Sequence, residues 1–222
     1  FSEVWLRRPE PGDSSATIYA ALDSPSVTGA YRFVITPGED TTVEVTMRLF
    51  LRKDIKQLGI APLTSMFLHN GADKGSFDDF RPSVHDSEVL VLNAGKDATL
   101  CRPLNNPPRL ASSYFGAQSP RSFGLAQRNR DFEHYLDAQA HYERRPSLMI
   151  EPMGDWGKGT VRLVEIPSDL EGNDNIVAYW IPEGETRAGD ELAYDYRMHW
   201  GMNPPGATPQ TLGRVVRLRS GH

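Results

Sequence analysis

Two aspartates stand next to apolar segments, where a pair of carboxyl groups could work as acid and base. Asp86 ends the loop sequence 80–86, which lies between two apolar runs, and Asp174 immediately precedes the apolar run 176–180. Glycoside hydrolysis needs such a pair, one group donating a proton and the other activating water. Loops on one rim of a sheet can supply both groups from distant positions. Aspartates at strand ends also serve as turn residues, so the sequence leaves both interpretations open.

A second set of candidates combines aromatic and basic residues. Residues 142–146 read Tyr-Glu-Arg-Arg-Pro, and residues 155–159 read Asp-Trp-Gly-Lys-Gly. The flat faces of Tyr142 and Trp156 could stack on the C–H faces of sugar rings, while charged neighbours bond sugar hydroxyls. The structural alternative has Trp156 as a hydrophobic lid and the arginines in solvated ion pairs. The residues alone favour that alternative.

Other kinds of chemistry have no motif in this sequence. The six histidines show neither the H-E-x-x-H pattern nor a Cys/His spacing typical of zinc sites. There is no G-x-S-x-G motif, and Gly157-Lys158 lacks the glycine spacing of a phosphate-binding loop. We therefore expect no metal and no other cofactor. The single cysteine, Cys101, excludes an intrachain disulfide and is predicted to be a small buried residue in a strand.

Composition limits the partners. Of the 222 residues, 39% are hydrophobic and 24% are charged, which is typical of a globular protein that can bury a core. The net charge is −5, and the basic residues are scattered, so neither nucleic acid nor an anionic membrane surface is an expected partner. No apolar run reaches about 18 residues, so no membrane-spanning helix is predicted.

The elements that must position these candidates are strands. Residues 41–52 alternate so that Val43, Val45, Met47, Leu49 and Leu51 share one face. Shorter runs repeat this period of two, and Pro, Gly and Asn separate them. The pattern predicts an all-β fold, a large antiparallel sandwich of two sheets. The shorter runs are residues 17–22, 31–35, 89–92, 160–166, 176–181 and 192–199.

One helix and one boundary are also predicted. Residues 131–140 place Phe132, Tyr135 and Leu136 at helical spacing behind a candidate N-cap, Asp131. Residues 1–200 are expected to form the sandwich. Residues 201–222 begin as a Pro- and Gly-rich linker and end in a strand-like run, 214–219, that would open the next domain. Both ends look cut, so we expect a longer parent chain.

Several blocks in this sequence resemble one family. Examples are Gly154-Asp155-Trp156-Gly157-Lys158 and Asn173-Asp174-Asn175-Ile176-Val177. In order along the chain, the blocks are similar to the periplasmic glucan biosynthesis proteins of the G and D type. The likeness runs from Phe1 to about Trp180 and continues more weakly to Trp200. The blocks are residues 17–25, 28–33, 59–67, 102–107, 123–132, 154–159 and 173–180.

The resemblance implies a location and a fold. Proteins of this family act in the periplasm of Gram-negative bacteria, where they take part in making osmoregulated periplasmic glucans with a β-1,2-linked glucose backbone. Their first domain is a galactose-mutarotase-like β-sandwich, joined to an immunoglobulin-like domain. The chain is expected to be the later part of that sandwich, without its first strands.

The resemblance also implies roles for individual residues. Asp174 matches the family's proton donor, and Asp86 matches the acid on the water-activating side. Tyr142 and Arg145 match residues that line the glucan cleft, and Glu171 matches the acidic residue three before the donor. The implied activity is inverting endo-hydrolysis, or transglycosylation, of β-1,2-glucan.

Rival functions stay open from the sequence. The chain could belong to a non-catalytic glucan-binding factor that holds nascent polymer for a membrane glucan synthase, and a second copy of the chain is a further candidate partner. A sugar epimerase or polysaccharide lyase would share the sandwich architecture, but it would need a His or Tyr base near the sugar.

Overall fold

The computed structural model of the chain describes residues 1–95 and 98–207. Within them the elements are strands and two short 3-10 turns, Phe132–His134 and Tyr142–Arg144. The strands are β1 (Glu3–Arg7), β2 (Ala16–Asp23), β3 (Val27–Thr36), β4 (Thr41–Leu51), β5 (Ile60–Ser65), β6 (Phe67–His69), β7 (Val84–His85), β8 (Val89–Asn93), β9 (Thr99–Pro103), β10 (Ala111–Gln118), β11 (Ser122–Ala126), β12 (Ser147–Met153), β13 (Lys158–Glu165), β14 (Ile176–Pro182) and β15 (Glu191–Gly201).

The strands form two packed sheets and a small hairpin. The large sheet has nine strands in the order β1-β2-β3-β4-β15-β12-β11-β8-β9, and the small sheet has four in the order β10-β13-β14-β5. The hairpin joins β6 to β7. Neighbouring strands run antiparallel throughout the described ladders. The predicted all-β antiparallel sandwich is confirmed.

Alternation along the strands decides which residues enter the core. In β4, Val45, Met47, Leu49 and Leu51 are buried, and the residues between them face outward. The inner faces of the two sheets meet in one core, where Ile150 of the large sheet packs in the same cluster as Leu163 and Trp180 of the small one. Full burial of one such aliphatic side chain contributes about 1.5–3 kcal/mol.

The predicted helix over residues 131–140 is wrong. Only the single 3-10 turn Phe132–His134 forms, and Leu136 then has a left-handed backbone with φ of 53°. The Asp137 carboxylate accepts a hydrogen bond from the Gln139 amide at 2.9 Å. Such local side-chain bonds compete with helical hydrogen bonding. The apolar spacing of residues 131–140 therefore belongs to a compact turn that packs on a small core.

Two further predictions have different outcomes. Cys101 does lie in a strand, but it is exposed, because β9 is an edge strand of the large sheet. The predicted strand over residues 214–219 lies outside the described residues.

After β15, residues 202–207 form turns that bring Ala207 into a small apolar cluster with Val91 and Met149. No helix in the described residues is long and apolar enough to cross a membrane.

Candidate active site in a groove between the sheets

A groove of about 280 Å³ opens where residues of both sheets meet. Leu63 of the small sheet and Leu125, Leu148 and Trp200 of the large sheet give it an apolar floor. Leu63 and Leu125 also belong to the main core. The groove is therefore a place where the inner faces of the sandwich become accessible from outside.

The two aspartates predicted from the sequence meet in this groove. Asp86 and Asp174 both line it, and Arg145 lies beside them. The Arg145 Nε atom stands 3.1 Å from Asp86 Oδ1. Asp174 is exposed, whereas the side chain of Asp86 is 32% exposed. The groove is thus lined by two carboxyl groups in different surroundings, and we call Asp86, Asp174 and Arg145 its rim.

Asn175 fixes Asp174 through the backbone of the hairpin. The buried Asn175 side chain accepts a hydrogen bond from the Phe67 amide at 2.8 Å and donates one to the Phe67 carbonyl at 2.9 Å. This pair of bonds imitates a strand ladder and holds the start of β14 against β6. Because Asp174 directly precedes Asn175, its position follows from these bonds.

Asp86 is fixed to the same segment. Its amide donates to the carbonyl of Met66, the residue before Phe67, at 2.9 Å. The hydroxyl of Ser65 donates to the hydroxyl of Ser87 at 2.8 Å. The short segment 65–67, which runs from the end of β5 to the start of β6, therefore anchors the backbone next to both acids, although they are far apart in the sequence.

The surroundings of Asp86 change its acidity. Burial raises the pKa of the Asp86 carboxyl above its usual value, Arg145 opposes that rise, and the negative charges of Asp174 and Glu171 add to it. Removal of water disfavours the charged form of a carboxyl group. A carboxylate with a raised pKa is a stronger base, closer to the neutral range in which a general base works well.

Tyr142 and Glu171 stand behind this rim. The Tyr142 hydroxyl donates to Glu171 Oε1 in a short hydrogen bond, and the Arg145 guanidinium lies 5.5 Å above the Tyr142 ring. Burial and the Glu171 carboxylate raise the pKa of Tyr142, which keeps the phenol protonated as a donor. Hydrogen bonds from Arg81 lower the pKa of Glu171. Contacts thus link four of the predicted site residues into one chain, in the order Glu171, Tyr142, Arg145 and Asp86.

Trp156 does not join this site. It is 6% exposed and packs edge-on against Tyr194 and Tyr196 in the main core. Its indole Nε1 donates to the Asp195 carbonyl at 3.2 Å. The sugar contact predicted for Trp156 is therefore not supported by its position, which agrees with the structural alternative.

Trp200 is the aromatic residue of the groove that the sequence reasoning missed. It is 38% exposed and lines the groove. In β15 it continues the inward row of Tyr194, Tyr196 and Met198, which pack against the main core. The signal was present in this alternation, because the last residue of an inward row lies where the core ends.

Other parts of the described chain offer less chemistry. Another groove, of about 410 Å³, is lined by Gly116, Ala117 and Gly159 among others. Its charged residues are Lys158 and Glu183, which pair with each other at 2.7 Å. Among residues 1–95 and 98–207, no group of three or more His, Cys, Asp or Glu side chains could hold a metal ion.

Comparisons with known proteins agree on one family. The family model described as periplasmic glucan biosynthesis protein, MdoG, matches residues 1–222. The chain is 57% identical over 222 residues to "Glucans biosynthesis protein G" of Cereibacter sphaeroides, covering 100% of this chain and 41% of that protein. It is 48% identical over 221 residues to "Probable glucans biosynthesis protein D" of Shewanella oneidensis, covering 100% of this chain and 41% of that protein.

The chain corresponds to only part of each of these relatives. The chain spans 41% of the length of each of these two relatives. Among solved structures, it is similar to a galactose mutarotase related enzyme from Lactobacillus acidophilus, with 9% identity and a TM-score of 0.31. That likeness covers 94% of this chain and 74% of the other, and it has no bearing on the groove.

Proposed function

Because this chain belongs to the MdoG family of periplasmic glucan biosynthesis proteins, we propose that its groove cuts the β-1,2-glucan backbone internally by inverting hydrolysis, in the periplasm. The observation that carries the proposal is the convergence of Asp86, Asp174 and Arg145 on one groove with an apolar floor. Sugars have polar edges and apolar C–H faces, so a charged rim above an apolar floor matches both.

The proposed reaction divides two roles between the aspartates. Asp174 donates a proton toward the leaving glycosidic oxygen, directly or through a bridging hydroxyl or water. Asp86 takes a proton from the water that attacks the anomeric carbon from the opposite side. An inverting pair needs room for that water, and its carboxyl groups stand about 6.5–9.5 Å apart, or farther with a relay.

The different surroundings of the two acids support this division. Asp86, partly buried and with a raised pKa, suits the base, and the nearby Arg145 favours the ionised form that accepts a proton from the bound water. Asp174 is exposed, so a bound glucan would cover it and displace its water. Removal of water favours the neutral form of a carboxyl group, which is the form a proton donor needs.

The rest of the groove would bind the polymer. Trp200 and the leucines of the floor would contact the C–H faces of glucose rings, and Arg145 would bond hydroxyls at the rim. Tyr142 and Glu171 would act behind it, where their mutual hydrogen bond sets the direction of the phenol. The same binding mode would serve transglycosylation if a sugar hydroxyl replaced the attacking water.

The proposal is tested on the full-length protein with linear β-1,2-glucan. Wild type should release shorter chains, and NMR should show the newly formed reducing ends first as the α-anomer, the product of inversion. Asp174→Asn and Asp86→Asn should each lower the rate by about 10²–10⁴-fold, the typical contribution of a general acid or base.

A matched control removes a carboxylate elsewhere. Asp195 pairs with Arg48 at 2.7 Å and does not line the groove, so Asp195→Asn should keep wild-type activity. Asp174→Asn should keep the melting temperature of the wild type, because its side chain is exposed. Full activity of Asp174→Asn would rule out its role as the donor.

A second function is favoured by the ion pair itself. An Arg–carboxylate pair such as Arg145 with Asp86 also binds sugar hydroxyls without chemistry. In that case the protein would be a glucan-binding assembly factor, with a membrane glucan synthase or a second copy of the chain as partner. Binding of linear β-1,2-glucan by calorimetry with no shortened product would favour this function, whereas unsaturated chain ends would indicate a lyase.

A further inference from the structure

Arg81 is bound by three carboxylates from three separate segments. Its guanidinium donates to Asp79 at 2.7 Å, to Asp137 at 2.6 Å and to Glu171 at 2.7 Å. The Arg81 side chain is 15% exposed. Asp79 lies in the loop between β6 and β7, Asp137 follows the first 3-10 turn, and Glu171 lies in the loop before β14. One side chain thus ties together the loops behind the groove.

The bond from Arg81 to Glu171 is the first step of a path into the groove. Two nitrogens of Arg81 reach the two oxygens of Glu171, at 3.2 and 2.7 Å. This fork fixes the plane of the carboxylate. Glu171 Oε1 then accepts the short hydrogen bond from the Tyr142 hydroxyl, so the direction of the phenol is set from Arg81.

The path continues from Tyr142 to the rim. The Arg145 guanidinium lies over the Tyr142 ring at 5.5 Å, a cation–π distance. Arg145 Nε then meets Asp86 Oδ1 at 3.1 Å. The Arg145 side chain is 45% exposed, and the Tyr142 ring lies beneath it as a platform on its way to Asp86. A tilt of that ring would loosen the pair between Arg145 and Asp86.

We propose that Arg81 is a positioning residue, which holds Arg145 against Asp86 from outside the groove. The inference rests on the proposed function, because it takes Asp86 to be the base. Arg81 does not line the groove, so it acts through its neighbours and touches no substrate. Lysine could not replace it, since an ammonium group lacks the planar fork that binds a carboxylate through two nitrogens.

The proposal has a signature in the pH profile. The charged groups acting on Asp86 are Arg145, which lowers its pKa, and Asp174 and Glu171, which raise it. If Arg145 is loosened, the lowering effect weakens and the pKa of Asp86 rises. A general base works only in its ionised form. On acidification, the activity of the variant would therefore begin to fall at a higher pH than the activity of wild type. The acid limb of kcat/KM should therefore move upward.

A second arginine provides a matched control. Arg102 binds Glu165 with the same fork, at 3.2 and 2.7 Å. Neither of these residues lines the groove, and among residues 1–95 and 98–207 the other side-chain hydrogen bonds of this pair go to Pro103 and Asn105 and not to Tyr142 or Asp86. Arg102→Lys should therefore lower the melting temperature as Arg81→Lys does, while leaving the pH profile unchanged.

The experiment measures kcat/KM against pH for full-length wild type, Arg81→Lys, Asp79→Asn and Arg102→Lys, with linear β-1,2-glucan. We expect the acid limb of Arg81→Lys to move up by about 0.5–1 pH unit, as weakening of a close opposite charge would cause. Asp79→Asn removes one support of Arg81 and should move the limb in the same direction by less. An acid limb at the wild-type pH in both variants would overturn the proposal.

A failure of the proposed hydrolase function can be distinguished from a failure of the positioning role of Arg81. If wild type leaves the glucan uncut at every pH, the hydrolase proposal fails, and the titration of Asp86 is followed instead by NMR of ¹³C-labelled aspartate carboxyl groups, assigned with Asp86→Asn. A higher midpoint for Asp86 in Arg81→Lys than in wild type would support the positioning role. An equal midpoint would reject it.

Discussion

The main sandwich core and the small core behind the groove are held together by different means. The main core packs aliphatic and aromatic side chains from both sheets. The small core, which we call the satellite core, consists of Met66, Leu68, Val84, Tyr135 and Tyr142. Buried polar side chains accompany it: His85, which is 0% exposed, lies with its Nδ1 2.8 Å from the Gln127 side-chain oxygen, and Gln127 donates to the carbonyls of His85 and Tyr142. The satellite core depends on polar contacts where the main core depends on burial.

This contrast shows how the groove is built. The loop that leads into β14 of the sandwich supplies Asp174, and the satellite core region supplies Asp86, Arg145 and Tyr142. A site at this junction rests on a rigid sheet on one side and on a hydrogen-bonded assembly on the other. Regions with small cores and many polar contacts open more readily than the main core. Substitutions in the two cores, at their junction and on the groove floor should therefore differ in size of effect.

The largest change in stability is expected in the main core. Leu163 is fully buried in β13, so Leu163→Ala should lower the free energy of unfolding by about 2–5 kcal/mol, through lost burial and the cavity left behind. Leu68→Ala in the satellite core should cost less, because a small core relaxes more easily around a cavity. Denaturant unfolding measures both. Leu110→Ala, at a residue 65% exposed, is the control, and an equal loss there would contradict the comparison.

Acidification should weaken the satellite core before the main core. Burial lowers the pKa of His85 to about 4 from 6.5. The unfolded chain therefore takes up the proton first, so this stability is complete above about pH 6.5 and is lost as the pH falls toward 4. The loss is on the order of 3 kcal/mol. Burial also lowers the pKa of His69 and His134, which act in the same direction.

Hydrogen exchange at pH 7 and pH 4.5 locates this acid effect. Protection of the amides in β6 and β7 should fall, while β4 and β13 keep theirs. His85→Phe, which retains a ring to stack on Phe67, should flatten the dependence of unfolding on pH. His141→Asn, at a half-exposed histidine with a left-handed backbone, should not. Equal loss of protection in β4 would show that the two cores respond as one.

A smaller effect is expected where the two cores are joined. Asn175→Ala removes the bonds to the Phe67 backbone and a further one to the Ile166 carbonyl. It should cost about 2 kcal/mol of stability, and glucan cleavage should fall more than stability explains, because Asp174 loses its anchor. Asn173→Ala, at an exposed neighbour, is the control for both measurements. Unchanged cleavage in Asn175→Ala would show that the strand alone positions Asp174.

The weakest effect is expected at the groove floor. Trp200→Ala should weaken binding of linear β-1,2-glucan by about 1 kcal/mol, which corresponds to roughly fivefold, and Trp200→Phe should retain most of the affinity. Calorimetric titration measures both variants. Trp5, which is 50% exposed on the edge strand β1, supplies the control Trp5→Ala. Equal weakening by both alanine variants would deny Trp200 a specific role.

The sandwich could be predicted from the amino-acid sequence, and the sequence also offered Asp86 and Asp174 as a candidate acid pair. The period of two in β4 is a local property of extended backbone, because successive side chains point to opposite faces. It was therefore readable without any knowledge of partners. The block around Asp174 was one of those that resemble the family, and the structure shows that Asp86 and Asp174 both line one groove.

Tyr142, Arg145 and Glu171 were named from the sequence as well, whereas Trp200 and Arg81 became known from the folded chain alone. Trp156 and Trp200 are both tryptophans of this sequence, yet one lies in the core and the other at its open end. Residues 131–140 have helical spacing in the sequence, yet they form a turn that Asp137 stabilises through its hydrogen bonds. Arg81 finds partners 56 and 90 positions away. Exposure and ion pairing of this kind depend on which segments meet, and local periodicity carries no information about such meetings.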